Sequence, residues 1–426
     1  MISSRQLAAE ALLRVERGGY SQLVFDAVAK NAKLNERDTQ FAAALFYGTL
    51  ERKVTLDHCI ARYSRHALSD VVAVILREAF YQLIYMESVP DHAAVDEAVE
   101  LTRKMRQAKA SGLVNGILRN FLRDEKKIPP VKGKKAAKLA IEGSCCESLA
   151  ECFIEWYGDE KAREILLASF GRPPVYIRVN TTLTDPDTLI ERLKSEGVEA
   201  KKSGKLENCL LVSGDPAHTK AHEEGLFHIQ DLCSQQAAVT LGAKPGEKIL
   251  DICAAPGSKS FTIAEEMGNN GSILSCDVAE KRLKKVLDGA KRLKLTTIET
   301  KTNDGSKFNE SFDKYDRILC DVPCSGLGVL RRKPEIKLRG KESFGTLPEL
   351  QYKILNTSAK YLKTGGVMVY STCTINPEEN ERIVERFLKE NSGFVPCPFD
   401  GDNFMVTNLP TADGGDGFFI ARMEKK

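Results

Sequence analysis

From Gln6 to about Arg123 apolar residues recur three and four positions apart, as in Leu7, Ala11, Leu12 and Val15 and again in Val71, Val74, Ile75, Phe80, Leu83 and Ile84. That spacing puts them on one face of successive helices, so residues 1–128 are expected to form an all-α bundle. Its breaks are expected at Gly18-Gly19, at the Asn35-Glu36-Arg37-Asp38 start and at Val89-Pro90-Asp91. Residues 129–144, opening on Pro129-Pro130 within a lysine run, read as a basic, solvated linker. Over residues 145–232 the period shortens: Val175–Val179, Cys209–Val212 and Leu226–Ile229 read as strands around a helix near Pro186–Ser195, a small α+β module. In the last segment, 233–426, the apolar runs Lys248–Cys253, Ser272–Cys276, Arg317–Cys320 and Val367–Tyr370 alternate with amphipathic stretches. That is the α/β pattern of an open, mostly parallel, doubly wound sheet, whose ligands sit at the carboxyl ends of its strands.

Composition narrows this only a little. A chain of 426 residues, 42% hydrophobic, is long enough for two or three buried cores. The net charge of +3 neither demands nor excludes nucleic acid, but Lys126, Lys127, Lys132, Lys134, Lys135 and Lys138 fall in sixteen residues without an acid. Such a run is as compatible with plain solubility as with phosphate contact. The 12 cysteines are scattered, with no C-x-x-C pair and no nearby histidine cluster, so reduced thiols are expected and no metal. No apolar run approaches the ~18 residues of a membrane span, and no secretory signal precedes the first helical pattern. A cytoplasmic chain follows.

The chemistry-bearing segments all follow candidate strands. Asp251-Ile252-Cys253-Ala254-Ala255-Pro256-Gly257-Ser258-Lys259-Ser260 leaves the first strand and opens a helix, where small residues and free N–H groups can approach a ligand. It lacks the earlier glycine of a nucleotide-phosphate loop. Asp277 ends the next strand, where a carboxylate can accept from two ribose hydroxyls, and Asp304 follows the third, placed to accept from an adenine amino group. Either aspartate alone is more commonly a turn residue. Together, in order, they point to a nucleoside-bearing cofactor.

Two further thiols stand beyond strands, Cys324 in Asp321-Val322-Pro323-Cys324 and Cys373 in Ser371-Thr372-Cys373-Thr374. A thiolate adds to the electron-poor carbon 6 of a pyrimidine and turns carbon 5 into a nucleophile, so this pair favours methylation at carbon. Asn376-Pro377-Glu378-Glu379 reads as N-cap, N1 proline and acidic first turn of a helix whose dipole would favour the Cys373 thiolate. Cys253, Cys276 and Cys320 read as buried thiols. Arg331, Arg332, Lys333, Lys337, Arg339 and Lys341, on the same rim, are expected to meet phosphates or to form a solvated, mobile loop.

Taken in order, Cys-Ala-Ala-Pro-Gly, Asp-Val-Pro-Cys-Ser-Gly and Ser-Thr-Cys-Thr resemble the NOL1/NOP2/Sun family of RNA cytosine-5 methyltransferases, in its bacterial Sun branch acting on 16S ribosomal RNA. The resemblance covers nearly the whole chain, and Gly225-Leu226-Phe227-His228-Ile229-Gln230-Asp231 looks like the lead-in to the family's catalytic domain. It implies a Rossmann-like class I methyltransferase domain, preceded by an RRM-like α+β module and a NusB-like RNA-binding bundle. It further implies that Cys253, Ala254, Ala255, Pro256, Gly257, Ser258 and Lys259 contact S-adenosyl-L-methionine, with Asp277 on ribose, Asp304 near adenine and Asp321 also at the cofactor. Asp321 would hold the cytosine, Cys373 would be the nucleophile and Cys324 would assist product release. The expected partner is 16S ribosomal RNA, with no DNA and no membrane, and a monomer is expected. Gly257-Ser258-Lys259-Ser260 departs from the more frequent Gly-Gly-Lys-Thr, and Thr374 from a frequent serine.

Two other readings stay open. A non-catalytic RNA-binding or assembly factor could have kept the cofactor fold, although the paired cysteines argue against it. In a DNA cytosine methyltransferase the Pro-Cys thiol would itself be the nucleophile.

Overall fold

A computed structural model describes residues 2–64, 66–411 and 414–426, and the chain divides into two compact units, 1–171 with 330–342 and 172–329 with 343–426.

The first unit is helical: α1 Ser4–Glu16, α2 Ser21–Ala32, α3 Glu36–Glu51, α4 Lys53–Tyr63, α5 Asp70–Tyr85, α6 Asp91–Lys104, α7 Ser111–Arg123, α8 Lys135–Gly143 and α9 Glu147–Leu167. The starts of α1, α3 and α5 are each capped by a side chain, Ser3, Asn35 and Ser69, which accepts from a first-turn N–H. The apolar stripes read from sequence meet in one core containing Leu7, Leu45, Phe46, Leu76, Phe80 and Phe121, with the rings of Phe80 and Phe121 4.4 Å apart. Gly48 of α3 is required there, since a Cβ would stand 2.0 Å from the Tyr81 ring.

Two expectations about this unit need correction. Residues 135–143 are not linker: Ala136, Leu139 and Ala140 are buried and make α8 a packed helix, its lysines on the other side of the apolar stripe. The basic stretch after Cys324 is not a solvated rim loop either, because Leu330–Glu342 belongs to the helical unit. Lys337 is 0% exposed, and its Nζ donates to the Glu51 carbonyl at 3.0 Å, the Gly143 carbonyl at 3.3 Å and Ser169 Oγ at 3.3 Å, 4.0 Å above the Phe170 ring. Ser21 Oγ donates to Glu335 at 2.9 Å, Arg331 Nε to the Ala168 carbonyl, and the Cys146 amide to the Lys337 carbonyl. A lysine whose donors meet three acceptors can be buried, and charge counting along the chain cannot foresee it.

The second unit starts with the small module: β1 Val175–Val179, α10 Pro186–Ser195, β2 Glu199–Lys202, β3 Cys209–Ser213, α11 Lys220–Glu223 and β4 Phe227–Ile229, an antiparallel sheet ordered β2-β3-β1-β4. Its three core strands and α10 stand where the pattern predicts. β2 was not foreseen, because Glu-Ala-Lys-Lys is an edge strand with little apolar content to betray it.

The larger sheet follows α12 Leu232–Thr240. Its elements are β5 Lys248–Asp251, α13 Ser258–Glu266, β6 Ser272–Asp277, α14 Glu280–Arg292, β7 Ile298–Thr302, β8 Tyr315–Asp321, α15 Leu347–Ser358, β9 Leu362–Thr372, α16 Glu381–Glu390, β10 Phe394–Pro396, β11 Met405–Asn408 and β12 Phe418–Lys425. The order is β10-β12-β9-β8-β5-β6-β7, parallel from β9 to β7 and antiparallel at β12. The strand order reverses between β5 and β8, the position at whose carboxyl ends sheets of this kind bind their ligands.

The small module is joined to α13 by a buried charge network. Arg178 of β1 lies 3.5 Å from Glu265 and also pairs with Glu266, while His228 Nδ1 of β4 is 3.3 Å from Glu265. Thr262 of α13 donates to Gln230 at 2.7 Å.

Candidate active site

Gly257, with φ +115°, is the N-cap residue of helix α13, and no side chain caps the first turn. Glycine is needed, because a Cβ would meet the Phe261 ring at 2.7 Å and the Val286 backbone at 3.2 Å. The loop before it is tied down by the Ala254 amide, which donates to the Cys276 carbonyl at 2.7 Å, and the Ala255–Pro256 bond is cis. Beneath, Ser260 Oγ donates to the buried Asp251 carboxylate at 2.7 Å and lies 2.8 Å from Ser275 Oγ. Burial raises the Asp251 carboxyl to about 7, with the Ser260 bond working against the shift and the Asp321 charge with it.

Asp277, at the end of β6, is 5% exposed at its side chain, accepts from the Ala279 amide at 2.9 Å and pairs with Arg282 at 3.0 Å. Asp304 follows β7 and accepts from the Ser306 amide and hydroxyl at 3.1 and 2.7 Å, with Lys307 at 3.1 Å. The Ser306 hydroxyl bond leads the causes that hold its carboxyl below the ordinary value. Asp304 is thus a turn residue as well as a candidate ligand. Next to it, the buried Asn303 Nδ2 finds no acceptor. Cys276 and Cys320 are fully buried, as expected, whereas Cys253 is partly exposed in the loop.

At the next strand ends the functional candidates converge. Lys259 Nζ stands 2.7 Å from Asp321 Oδ2, and Ser371 Oγ donates to Asp321 Oδ1 at 2.8 Å. For Lys259, burial alone would lower the ammonium pKa, but the Asp321 charge and hydrogen bond outweigh it and raise the value. Cys324 Sγ and Cys373 Sγ are 3.3 Å apart. The Cys324 thiol is pushed well above the ordinary range, first by its hydrogen bond to Cys373, then by burial, and further by the charges of Cys373 and Glu379. The flanking loops are joined by Ser325 Oγ and Thr374 Oγ1 at 2.7 Å and by the Gly328 amide on the Cys373 carbonyl at 3.0 Å. Gly328 also lies against Gly417, whose carbonyl a Cβ would approach to 2.0 Å.

The segment after Cys373 differs from its sequence reading. Helix α16 begins at Glu381 with Asn380 as its N-cap position, and Asn376–Asn380 is an irregular turn before it. Asn376 accepts from the Glu378 amide at 3.1 Å, a local turn rather than a helix cap. The helix dipole therefore starts eight residues beyond Cys373, too far along the chain for the cap argument made for its thiolate. Sequence reasoning also missed the Lys259–Asp321 pair, Ser371, and the buried Glu379 and Gln351. Only the position of Lys259 and Asp321 beside two successive motifs could have hinted at the first.

A parallel sheet with an uncapped helix start at β5, an acidic residue at the end of β6 and polar side chains gathered beyond β8 and β9 is the Rossmann-like arrangement of class I methyltransferases. The 16S rRNA methyltransferase RsmB/F model matches residues 238–424, the NusB family residues 2–123, and the RsmF/B-like ferredoxin-like domain residues 147–217. Over 443 residues the chain is 36% identical to the probable ribosomal RNA small subunit methyltransferase B of Bacillus subtilis strain 168, covering 100% of this chain and 99% of that one. It is 33% identical to ribosomal RNA small subunit methyltransferase B of Pasteurella multocida strain Pm70, over 100% of this chain and 96% of that one. The crystal structure of PH0851 superposes with a TM-score of 0.84 over 99% of this chain and 98% of its own, at 24% identity, and shares the fold. NSun6 from Pyrococcus horikoshii with SFG superposes with a TM-score of 0.59 at 25% identity, over 66% of this chain and 98% of its own. The chain belongs to the ribosomal RNA small subunit methyltransferase B family.

Proposed function

We propose that this protein methylates carbon 5 of a cytosine in 16S ribosomal RNA through a covalent bond between Cys373 and carbon 6. The observation that carries the reading is the 3.3 Å contact between Cys324 and Cys373, beside the Lys259–Asp321 pair at 2.7 Å. S-adenosyl-L-methionine is the cofactor, in keeping with the family and with SFG, its analogue, in NSun6, and supplies an electrophilic methyl group when bound. The residues fit it: the α13 start lacks a side-chain cap, the Asn303 Nδ2 lacks an acceptor, and the Asp277 carboxylate at the end of β6 is paired with an Arg282 whose side chain is half exposed. Cys253 to Lys259 would hold it at the loop, Asp277 at ribose and Asp304 at adenine, with Asp321 at the far end.

The two sulfurs share one proton. With that proton on Cys324, Cys373 is a thiolate, and the Cys324 S–H donates to it. Cys373 attacks carbon 6 while Asp321 holds the cytosine edge, and the Lys259 ammonium behind Asp321 offsets negative charge building on the ring. After carbon 5 is methylated, its proton passes to solvent, the carbon 6–sulfur bond breaks, and the Cys324 S–H receives the departing thiolate. The base must be unstacked or flipped out, since carbon 6 is inaccessible within a stack.

The test is adduct trapping. Cys324→Ala should methylate at most once and stay attached to RNA on denaturing gels, whereas Cys373→Ala should form no adduct and no product. An adduct in Cys373→Ala and none in Cys324→Ala would move the nucleophile to the Pro-Cys motif. No methyl transfer by the unaltered protein to ribosomal RNA would favour an assembly factor.

A further inference from the structure

Glu379 is 0% exposed, and no cation is paired with it among the described residues. Three amide donors converge on its carboxylate. Oε2 accepts from the Ser325 backbone amide at 2.9 Å and from Gln351 Nε2 at 2.8 Å, and Oε1 accepts from Asn376 Nδ2 at 2.9 Å. Ser325 follows Cys324, and Asn376 lies three residues beyond Cys373, so one carboxylate is bonded to both thiol loops. Gln351 completes the brace, because its Nε2 also donates to the Pro323 carbonyl at 2.9 Å. Below, the Tyr370 hydroxyl donates to the Glu379 carbonyl at 2.6 Å and the Glu379 amide to the Asn376 carbonyl at 3.0 Å. Three N–H groups satisfy this carboxylate, which is shut away from water and lies on the Cys324 side of the pair.

We propose that Glu379 is a positioning residue of this methyl transfer: it holds the Cys324 and Cys373 loops in register and, by its charge, makes the two thiols unequal. The inference rests on the two-thiol mechanism proposed above. The charged and titratable groups around the pair act in opposite senses. Glu379 and Tyr370 face Cys324, while the Lys259 ammonium favours charge on Cys373. On this assignment the shared proton belongs to Cys324, which leaves Cys373 ready to attack before RNA arrives. Beside the brace, the two loops are also joined by the thiol contact itself, the Ser325–Thr374 hydroxyl contact and the Gly328–Cys373 backbone bond.

Glu379→Gln keeps the size but has one acceptor oxygen for three donors and no charge. The expected result is a kcat lowered by about tenfold or more, with the KM for RNA and the affinity for S-adenosylmethionine within about twofold of the original. A second readout needs neither RNA nor activity. Alkylation of the free protein with iodoacetamide, resolved by mass spectrometry, should label Cys373 first in the unaltered protein. In Glu379→Gln the Cys324 to Cys373 labelling ratio should rise by about tenfold, the effect of removing one nearby charge. An unchanged ratio with lowered kcat would leave Glu379 a merely structural group and overturn the charge assignment, and an unchanged kcat would overturn the proposal. If the amide variant does not fold, Gln351→Leu takes its place, with kcat lowered and the labelling ratio retained. Full activity of that variant would overturn the brace. Failure of Cys324→Ala to trap RNA would refute the two-thiol mechanism itself, and the labelling ratio is independent of that outcome.

Discussion

Ser260 Oγ donates to Asp251 Oδ2 at 2.7 Å, and the opposite oxygen of that carboxylate is buried without a partner. One side of Asp251 is therefore satisfied as a charge and the other is not, which accounts for a carboxyl held near neutrality, at about 7. A carboxyl raised from 3.8 contributes stability fully below about pH 4 and loses it as pH rises through about 7, because ionisation is then easier in the unfolded chain. Asp251→Asn cannot ionise. Its melting temperature, relative to the unaltered protein, should rise between pH 5 and 8, as followed by calorimetry, and parallel curves would mean that Asp251 is charged throughout.

Replacing Lys259 with Met removes the ammonium from Asp321 and leaves a carboxylate held by Ser371 alone. Breaking such a pair by removing one partner costs about 3–5 kcal/mol when fully buried, and Asp321 retains 26% side-chain exposure, so about half that is expected from urea unfolding. Methylation should fall further than stability, and Lys259→Arg should restore part of the stability and little of the rate.

At the cofactor site, Asp277→Ala removes a carboxylate from the end of β6 and releases Arg282. Affinity for S-adenosylmethionine should weaken by about 1–3 kcal/mol in titration calorimetry, the worth of charge-assisted hydrogen bonds to ribose. Unchanged affinity would place the ribose elsewhere.

Lys337→Met tests the buried lysine of the helical unit. Burial brings its ammonium down to about 7, with the Glu51 charge acting in the opposite direction. A lysine lowered from 10.5 is costly when charged, and that cost is relieved as pH rises from about 7 towards 10, so stability from this group increases over that range. Lys337→Met should lose about 1–3 kcal/mol for the unpaired carbonyls and show a flatter pH dependence from 7 to 10 in thermal unfolding. The same slope in both proteins would show that Lys337 stays charged in the fold.

RNA binding should be strongly salt-dependent. If lysines from the 126–138 run contact phosphates, log affinity against log salt will have a slope set by the number of phosphates neutralised, and changing two of Lys127, Lys132 and Lys134 to Ala should lower it by about two. An unchanged slope would leave that run to solubility.

Much of the architecture was legible because periodicity and turn residues act locally. Strand β1 and helix α10 stand at their expected residues, and Asp185 and Pro186 announce α10 as cap and first position. The thiol pair was legible as two motifs and became a contact only in three dimensions. What escaped was the polar interior. Lys337 and Glu379 sit in stretches whose composition says surface, and each is buried because partners far along the chain, Gly143 for one and Ser325 for the other, supply its hydrogen bonds. Helix α8 escaped for a related reason, its buried Ala136, Leu139, Ala140 and Gly143 standing in a stretch that also holds Lys132, Lys134, Lys135 and Lys138.

The placement of Leu330–Glu342 within the helical unit also bears on the order in which the chain is made. Helices α1 to α9 leave the ribosome first, yet the carbonyls of Glu51 and Gly143 and the hydroxyl of Ser21 wait for donors and acceptors that lie beyond residue 330. The amino-terminal unit thus cannot reach its final packing during its own synthesis. It is completed only after β5 to β8 have been translated, so maturation of the two units is coupled in time as well as along the chain.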